Sequence, residues 1–92
     1  MTSTTKLLRV AGNSSPNHVA GAIAGQVREG RQVALQAIGP IAVNQAVKSI
    51  AVARDYLVPE GIDIVCLPEF VDVPVNGKTL TAIRFDVEAW DF

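Results

Sequence analysis

The order of strand-like and helix-like segments in this 92-residue chain predicts an α/β domain of the two-layer α+β kind. Two long segments repeat apolar residues with helical spacing, and the shorter segments alternate apolar and polar residues as strands do. The dipeptide Asn76-Gly77, a strong hairpin signal, separates the last two strands and makes them antiparallel. The predicted order is therefore βαβαββ, in which a right-handed crossover places two helices on one face of a mixed four-stranded sheet.

The first strand and the first helix are predicted over residues 6–29. Residues 6–11 alternate as a strand, and a polar turn follows them. Ser15 is placed to cap a helix that begins at Pro16, because the first helical position needs no amide donor. Gly30 ends this helix. The side chains that it is expected to bury are Val19, Ala20, Ile23 and Val27.

Residues 33–38 predict the second strand, and Gly39-Pro40 starts a second helix that runs to about Leu57. The apolar arc of this helix is about 180° wide, broader than the ~100° stripe that a surface helix needs. The arc consists of Val43, Ala46, Val47, Ile50, Ala53 and Leu57, and Ser49 falls on the polar side. Because the arc is wider than one sheet covers, we expect a homodimer or larger assembly built on this helix and a neighbouring strand. The residues expected in that contact are Val43, Val47 and Ile50.

Branched residues predict the third strand, and regular alternation of apolar and polar residues predicts the fourth. Residues 62–67 form the third strand, and Pro68-Glu69 shifts the alternation, which predicts a bulge or bend before residues 70–75 continue. Residues 79–89 form the fourth strand. Its inward side chains are expected to be Ile83, Phe85 and Val87, and its outward ones Arg84, Asp86 and Glu88.

Composition indicates one globular domain over residues 6–92, preceded by a loose polar tail over residues 1–5. Apolar residues make up 49% of the chain, yet no run approaches the ~18 residues that span a membrane. The tail lacks the charged and apolar zones of a signal peptide. The single cysteine, Cys66, excludes an internal disulfide and fits a reducing, cytoplasmic location.

Charge is nearly balanced overall but unevenly distributed along the chain. Residues 1–54 carry six basic side chains and one acidic one, whereas residues 55–92 carry eight acidic side chains and two basic ones. Such asymmetry is typical of a basic binding face opposite an acidic one, and also of self-association between unlike halves. A protein that coats DNA tightly would be far more basic than a chain with a pI of about 5.7.

The polar turn over residues 12–17 is the most informative segment, since a helix N-terminus with free amides favours an anion. We expect any nucleic-acid contact to use this turn and the helix start, with help from two lysines. The residues in question are Asn13, Ser14, Ser15, Asn17, His18, Lys48 and Lys78. The alternative remains that the turn binds nothing, as in most capped strand-to-helix turns, and that His18 is a solvated surface residue.

Gly21 and Gly25 lie opposite the core stripe of the first helix, where each glycine costs about 1 kcal/mol relative to alanine. Either the helix merely tolerates them, or a partner backbone approaches this bare surface closely. We therefore add both glycines to the expected oligomer interface.

No catalytic, metal or cofactor site is predicted. His18 and Cys66 are each the only residue of their kind, and Cys66 is expected to be a small core residue. Residues 39–49 lack the glycine that a phosphate-binding loop needs before its lysine. The aromatic Trp90 and Phe92 either dock on the domain, which we expect, or mark a contact site. The protein is accordingly interpreted as no enzyme, with no cofactor, no small-molecule substrate and no membrane contact.

Five segments resemble the stage V sporulation protein S family. They are residues 14–25 (SSPNHVAGAIAG), 36–39 (QAIG), 44–48 (NQAVK), 51–54 (AVAR) and 63–68 (DIVCLP). The resemblance extends over residues 6–87, and that family is similar in fold to the Alba chromatin proteins. It implies an Alba-like βαβαββ fold, a dimer, an association with nucleic acid, and a bacterial cytoplasmic protein of sporulation or development.

The chain departs from the Alba pattern in its charges. Alba proteins have lysines in the turn before the first helix, where this chain has Asn13, Ser14 and Ser15, and a basic hairpin where it has only Lys78 and Arg84. Neutral donors hold phosphates without releasing counterions, so binding to DNA or RNA should be weak. Two interpretations stay open: a weak nucleic-acid-binding regulator that acts as a homodimer or oligomer, or a self-assembling structural protein that forms filaments or scaffolds without nucleic acid.

Overall fold

The computed structural model describes residues 5–90, and residues 1–4 of the expected tail and the terminal Phe92 lie outside that range. The helices are α1 (Pro16–Arg28) and α2 (Pro40–Leu57), the second followed by a short 3₁₀ turn, Val58–Glu60. The strands are β1 (Lys6–Val10), β2 (Val33–Ala37), β3 (Asp63–Val75) and β4 (Lys78–Trp90). They form one sheet in the order β1-β2-β4-β3, in which only β1 and β2 are parallel. The predicted α/β class, the element order and the mixed four-stranded sheet are confirmed.

The signals that start and end α1 act as the sequence predicts. Pro16 occupies the first turn, and the Ser15 hydroxyl accepts a hydrogen bond from the His18 amide at 3.5 Å. Gly30 follows the helix with a φ of 74°, a left-handed conformation that suits glycine. The strand β1 therefore leads through a short loop into a helix with a defined direction.

The two helices pack on each other through small side chains on the covered face of the sheet. α1 contributes Ala20 and Ala24, which are fully buried together with Ile23. α2 contributes Ala46 and Ala53, also fully buried. Side chains of this size let two helix backbones approach closely, so the layer between them is thin.

The buried side of α2 is rotated from the predicted one, and the placement of Ser49 is a correction. Ser49 was expected on the polar side, but it is fully buried among the small residues. Its hydroxyl donates to the Gln45 carbonyl oxygen one turn earlier, at 2.7 Å, which satisfies a buried polar group locally. Val47, which was expected in the oligomer contact, is 49% exposed.

The core of the sheet lies where β2 and β4 pair. Leu35, Phe85 and Val87 are buried beneath the helices, and Ile83 packs against them while partly exposed. The outward side chains of β4, Arg84, Asp86 and Glu88, lie on the opposite face, which no helix covers. The predicted alternation of β4 is confirmed.

The bulge expected at Pro68-Glu69 is absent. β3 pairs with β4 in an unbroken register from Asp63–Trp90 to Val75–Lys78. β3 is an edge strand, so the missing amide of Pro68 falls where no ladder bond is required, and the proline is accommodated without an extra residue.

The β3–β4 hairpin extends past the rest of the sheet as a two-stranded arm over residues 71–82. β2 pairs with β4 only as far as Ile83, and five further pairs continue beyond it, about 17 Å of chain. The arm turns at Asn76 and Gly77, both with positive φ (50° and 77°), as a two-residue hairpin turn requires. It projects from the same end of the sheet as the loops that follow β1 and β2.

Between residues 5 and 90, neither helix combines the length and the hydropathy needed to cross a membrane.

Candidate functional site

The loop between β1 and α1 is held by hydrogen bonds to its own serine and to α2. The Ala11 amide donates to the Ser14 hydroxyl at 2.8 Å, and the Ser14 amide donates to the Ala11 carbonyl oxygen at 3.0 Å. The Gln45 side-chain amide of α2 donates to the Ser14 carbonyl oxygen at 2.9 Å. The polar turn that the sequence singles out is thus preorganised, with Asn13 exposed.

Few backbone amides remain for an anion at the start of α1. Pro16 has no N–H, and the His18 amide is taken by the Ser15 hydroxyl. The Asn17 amide is left as a first-turn donor. The amides of Asn13 and Ser15 also have no acceptor within residues 5–90. The predicted turn residues therefore offer three amides, the hydroxyl hydrogens of Ser14 and Ser15, and side chains such as the exposed Asn17 and His18.

The start of α2 supplies further amides that the sequence analysis did not select. Gly39 caps this helix without a side-chain hydrogen bond, and Pro40 follows it. The Val43 amide donates to the Gly39 carbonyl oxygen, so the amides of Ile41 and Ala42 precede the first helical hydrogen bond. Because β1 and β2 are parallel, both helices begin at the same end of the sheet. The Gly39-Pro40 signal was visible in the sequence, but its position beside the first loop required the sheet order.

Lys48 and Lys78 lie on different elements. Lys48 is exposed one turn after Gln45, on the side of α2 that contacts the loop. Lys78 lies at the tip of the arm, which extends beyond the end of the sheet where the loop lies. The structure therefore brings the turn residues and Lys48 to one side of the molecule, and places Lys78 at the same end but on a separate projection.

The cationic side chains divide into paired and unpaired sets within residues 5–90. The arginines that form ion pairs are Arg28 with Glu60, Arg31 with Glu29, Arg54 with Asp63, and Arg84 with Asp86. The cations without such a partner in the described chain are Lys6, Arg9, Lys48 and Lys78. Half of the positive charge is thus neutralised locally, which the sequence alone did not reveal.

Lys6 and Arg9 were not selected from the sequence. With His18 they line a shallow groove between the free edge of β1 and α1, over Leu8 and Val19. The sequence did indicate these two cations as candidates, since both lie in the strand that leads into the selected turn. Their proximity to His18 became visible only when α1 was placed beside β1.

Two ion pairs connect the helices to the later part of the chain. The Arg28 guanidinium donates to the Glu60 carboxylate at 2.7 Å, and this hydrogen bond holds the pKa of Glu60 below its usual range. The Asp63 carboxyl accepts from Arg54 at 2.7 Å and from the Ile64 amide at 2.8 Å, and both bonds lower its pKa. These acids are structural partners, so they do not compete for the cations of the loop end.

The glycine surface of α1 is open. A side chain built at Gly21 or Gly25 would meet no atom within 4 Å. Gly21 is exposed and Gly25 is half-buried, as expected from their position opposite the core stripe.

An apolar surface runs from one side of α2 to β3, and we call it the apolar flank. Its α2 residues share their side of the helix with Arg54, which binds Asp63 at the start of β3. Val43 and Ile50 are half-buried there, and Val47 is 49% exposed. On the helix-covered face of the sheet, Pro68 and Phe70 lie on the edge strand β3, and Phe70 is 79% exposed beside Ile83. The flank consists of Val43, Val47, Ile50, Pro68 and Phe70.

Neither Pro68 nor Phe70 was expected in the oligomer contact from the sequence, and Phe70 is the more exposed of the flank's large side chains. The expected bulge obscured which face it occupies, whereas the continuous register pairs it with Ile83 on the helix-covered face. Trp90, expected to dock on the domain, is 51% exposed at the end of β4.

Within residues 5–90, no three His, Cys, Asp or Glu side chains are grouped closely enough to hold a metal ion. Cys66 packs against the core, and burial raises the pKa of its thiol, which keeps it protonated and weakly nucleophilic at neutral pH.

Comparisons with known proteins agree with this fold. Alba from Thermoplasma volcanium is similar in structure, with a TM-score of 0.57 and 13% sequence identity, over 89% of this chain and 95% of that chain. At that identity the likeness shows the fold alone. The model of stage V sporulation protein S matches residues 6–90, nearly the whole chain. The protein therefore belongs to the stage V sporulation protein S family, a family of small sporulation-related proteins, and has an Alba-like fold.

Proposed function

We propose that this protein is a non-enzymatic, nucleic-acid-binding regulator of sporulation or development that acts in the cytoplasm as a homodimer. The observation that carries the proposal is the end of the molecule where a preorganised polar loop, two helix starts and a projecting arm meet. Family membership supports the developmental role, and the resemblance to Alba proteins implies the association with nucleic acid.

The nucleic-acid contact is proposed at Asn13, Ser14, Ser15, Asn17 and His18, with Lys48 and Lys78. Hydroxyl, amide and backbone donors position a phosphate backbone, and the two lysines supply the charge that releases counterions. Because Lys48 and Lys78 have no carboxylate partner within residues 5–90, binding does not first require an ion pair to break.

Binding should be weak and nearly independent of base sequence. Two lysines per subunit release few counterions, and the first turn of α1 offers a single free amide. Neither helix presents an arginine-rich and asparagine-rich face for base edges. A dimer doubles the number of contacts on one duplex, which makes self-association part of the proposed activity.

The homodimer is proposed to form through the apolar flank. Phe70 and Val47 are large apolar side chains with most or half of their surface exposed, and the half-buried Val43 and Ile50 share the side of α2 on which Val47 lies. A contiguous apolar patch of this kind is typical of an interface. The glycine surface of α1 is a second candidate contact, used where dimers associate further.

The salt dependence of binding tests the nucleic-acid site. Fluorescence anisotropy with a labelled 20-base-pair duplex and with RNA of equal length is measured from low to physiological salt. We expect Lys48→Ala with Lys78→Ala to weaken binding to every sequence and to lower the salt slope by about 0.9 per lost phosphate contact.

The matched control removes two charges from another surface. Lys6→Ala with Arg9→Ala should leave the slope close to that of the wild type. No binding at low salt, or equal slopes for the wild type and the Lys48/Lys78 variant, would show that the site is wrongly placed.

Self-assembly into a scaffold without nucleic acid is the second candidate function, and the exposed apolar flank favours it. Growth by joining sheet edges is disfavoured, since β3 carries Pro68 and Pro74 and β1 is short with Lys6 and Arg9. A scaffold would therefore have to grow through the flank and the glycine surface, and its particle size would rise with concentration beyond a dimer.

A further inference from the structure

The groove between β1 and α1 combines a free strand edge, an apolar floor and a basic rim. β1 is an edge strand, and β2 is its partner on one side only. Leu8, Val19 and Ala22 form the floor, and Lys6, Arg9 and His18 are also part of the lining. Extended peptides bind other proteins in grooves of this kind, by adding a strand to a sheet beside a helix.

The outward hydrogen-bonding groups of β1 can be assigned from its register with β2. The Lys6 amide donates to the Gln32 carbonyl oxygen of the β2 side at 3.3 Å. Because successive residues of a strand point their N–H and C=O groups in opposite directions, those of Leu7 and Arg9 point to the free edge. The Ala11 amide, next in this series, bonds to the Ser14 hydroxyl and ends the open edge.

The charge of the groove selects the chemistry of its occupant. Lys6 and Arg9 are exposed and have no carboxylate partner within residues 5–90, and His18 is exposed on the facing helix. An edge strand bearing cations resists pairing with uncharged or basic strands, but it attracts an acidic one. Because the floor of the groove is apolar, the occupant must also carry apolar side chains that cover it.

We propose that this groove binds an extended acidic peptide segment of a partner protein, which pairs with β1 as an added strand. Main-chain bonds form at Leu7 and Arg9. On the open face of the sheet, acidic side chains of the partner meet Arg9; on the face that the helices cover, its alternate apolar side chains cover Leu8 and Val19, and an acidic residue at the end of its strand meets Lys6. A phosphate backbone fits less well, because the outward carbonyl oxygens of β1 repel phosphate and the apolar floor offers it no donor. This partner site is separate from the proposed nucleic-acid contact at Lys48 and Lys78.

Synthetic peptides test the proposal with the full-length protein. The probes are fluorescein-labelled eight-residue peptides in which Asp or Glu alternates with Val, Ile, Leu or Phe, and binding is read by anisotropy. We expect saturable binding, at least about tenfold weaker for Lys6→Glu with Arg9→Glu, a change of one order of magnitude in Kd. The matched control, Lys48→Glu with Lys78→Glu, should bind the peptides as the wild type does.

The main-chain contacts are tested from both partners. Leu7→Pro removes an outward amide that β2 does not use, so it should weaken the peptide about tenfold while the unfolding temperature stays close to that of the wild type. A probe N-methylated at alternate amides makes the same test without changing the protein, and it should bind at least about tenfold more weakly.

Three results would overturn the peptide site. They are the absence of binding below about 1 mM for every acidic probe, equal binding of methylated and unmethylated probes, and no loss in the Lys6/Arg9 variant. Displacement of the probe by duplex DNA through Lys6 and Arg9 would assign the groove to nucleic acid instead. Failure here leaves the Lys48 and Lys78 site intact, since the two variant pairs are separate.

Discussion

At the scale of single residues, two adjacent serines bond in opposite directions along the chain. The Ser14 hydroxyl accepts from the Ala11 amide upstream, and the Ser15 hydroxyl accepts from the His18 amide downstream. One serine closes the loop and the other starts the helix, and both keep their hydroxyl hydrogens for an external acceptor. The loop is therefore both structurally constrained and able to donate.

Gly21 provides the simplest residue-scale prediction. A side chain there would meet no atom within 4 Å, so Gly21→Ala should raise the free energy of unfolding by up to about 1 kcal/mol, through helix propensity. Urea denaturation followed by circular dichroism measures the change.

The larger variant separates stability from contact at the same position. Gly21→Leu should keep the fold, and if dimers associate through the glycine surface it should abolish assemblies larger than a dimer. Unchanged assembly in both Gly21→Leu and Gly25→Leu would show that the glycines have no role in an interface.

The ion pair between Arg54 and Asp63 predicts a dependence of stability on pH. The bonds from Arg54 and from the Ile64 amide hold the pKa of Asp63 below its unfolded value of about 3.9. The stabilisation is therefore complete above that unfolded value and is lost as pH falls through the lower folded pKa. Thermal unfolding of Asp63→Asn should show a deficit at pH 7 that shrinks as the pH falls below about 3.9.

Asp72→Asn is the matched control for the Asp63 experiment. Asp72 is an exposed residue of the arm for which the structure gives no hydrogen bond or ion pair within residues 5–90, so this variant should follow the wild type at every pH. A constant deficit of Asp63→Asn down to pH 2 would contradict the ion-pair explanation.

At the scale of elements, the close packing of α1 on α2 depends on small side chains. Ala46 is fully buried between the helices and the sheet, so Ala46→Leu should overpack the layer and lower the free energy of unfolding by about 1–3 kcal/mol. Ala51 is exposed on the same helix, and Ala51→Leu should be nearly neutral. Chemical denaturation of both variants measures the difference, and an equal effect at the two positions would contradict the packing model.

The elements were predictable where the chain carries local signals. Ser15, Pro16, Gly30 and Asn76-Gly77 act within a few residues of their own position, so the elements that they bound needed no tertiary information. Of the bulge or bend expected at Pro68, the bulge is wrong, because a proline at the free side of an edge strand does not disrupt the ladder. Its edge position follows from the strand order, which no local pattern contains.

The side of α2 that faces the core was predicted only in part, for a related reason. A hydropathy pattern assigns Ser49 to the polar side of the helix. Its hydroxyl, however, donates to a carbonyl oxygen of the preceding turn, so this small side chain can be buried between closely packed helices. The candidate site was likewise incomplete from sequence. The turn could be predicted from its local signals, whereas the unpaired state of Lys6 and Arg9 depends on which acids lie near each cation in the folded chain.

At the scale of the whole molecule, the proposed nucleic-acid site, the apolar flank and the β1 groove use different residues and lie on different parts of the surface. The loop and the arm project from one end of the sheet, the apolar flank follows the side of α2 next to β3, and the β1 groove lies at the opposite sheet edge. A dimer through the flank would therefore leave both loop ends free for one duplex, and both grooves free for a partner.

The central claim is that a homodimer binds nucleic acid, and sedimentation velocity with and without a 20-base-pair duplex tests it most directly. At micromolar concentration and low salt we expect a dimer alone and a dimer–duplex complex after addition of DNA. Val47→Glu should sediment as a folded monomer with weakened binding, because it places an unpaired charge in the flank. Ile41→Glu, an equally drastic change on the exposed side of α2 away from the flank, should remain dimeric. A wild-type protein that sediments as a monomer at high micromolar concentration, or a dimer that leaves the duplex unshifted at low salt, would contradict the account.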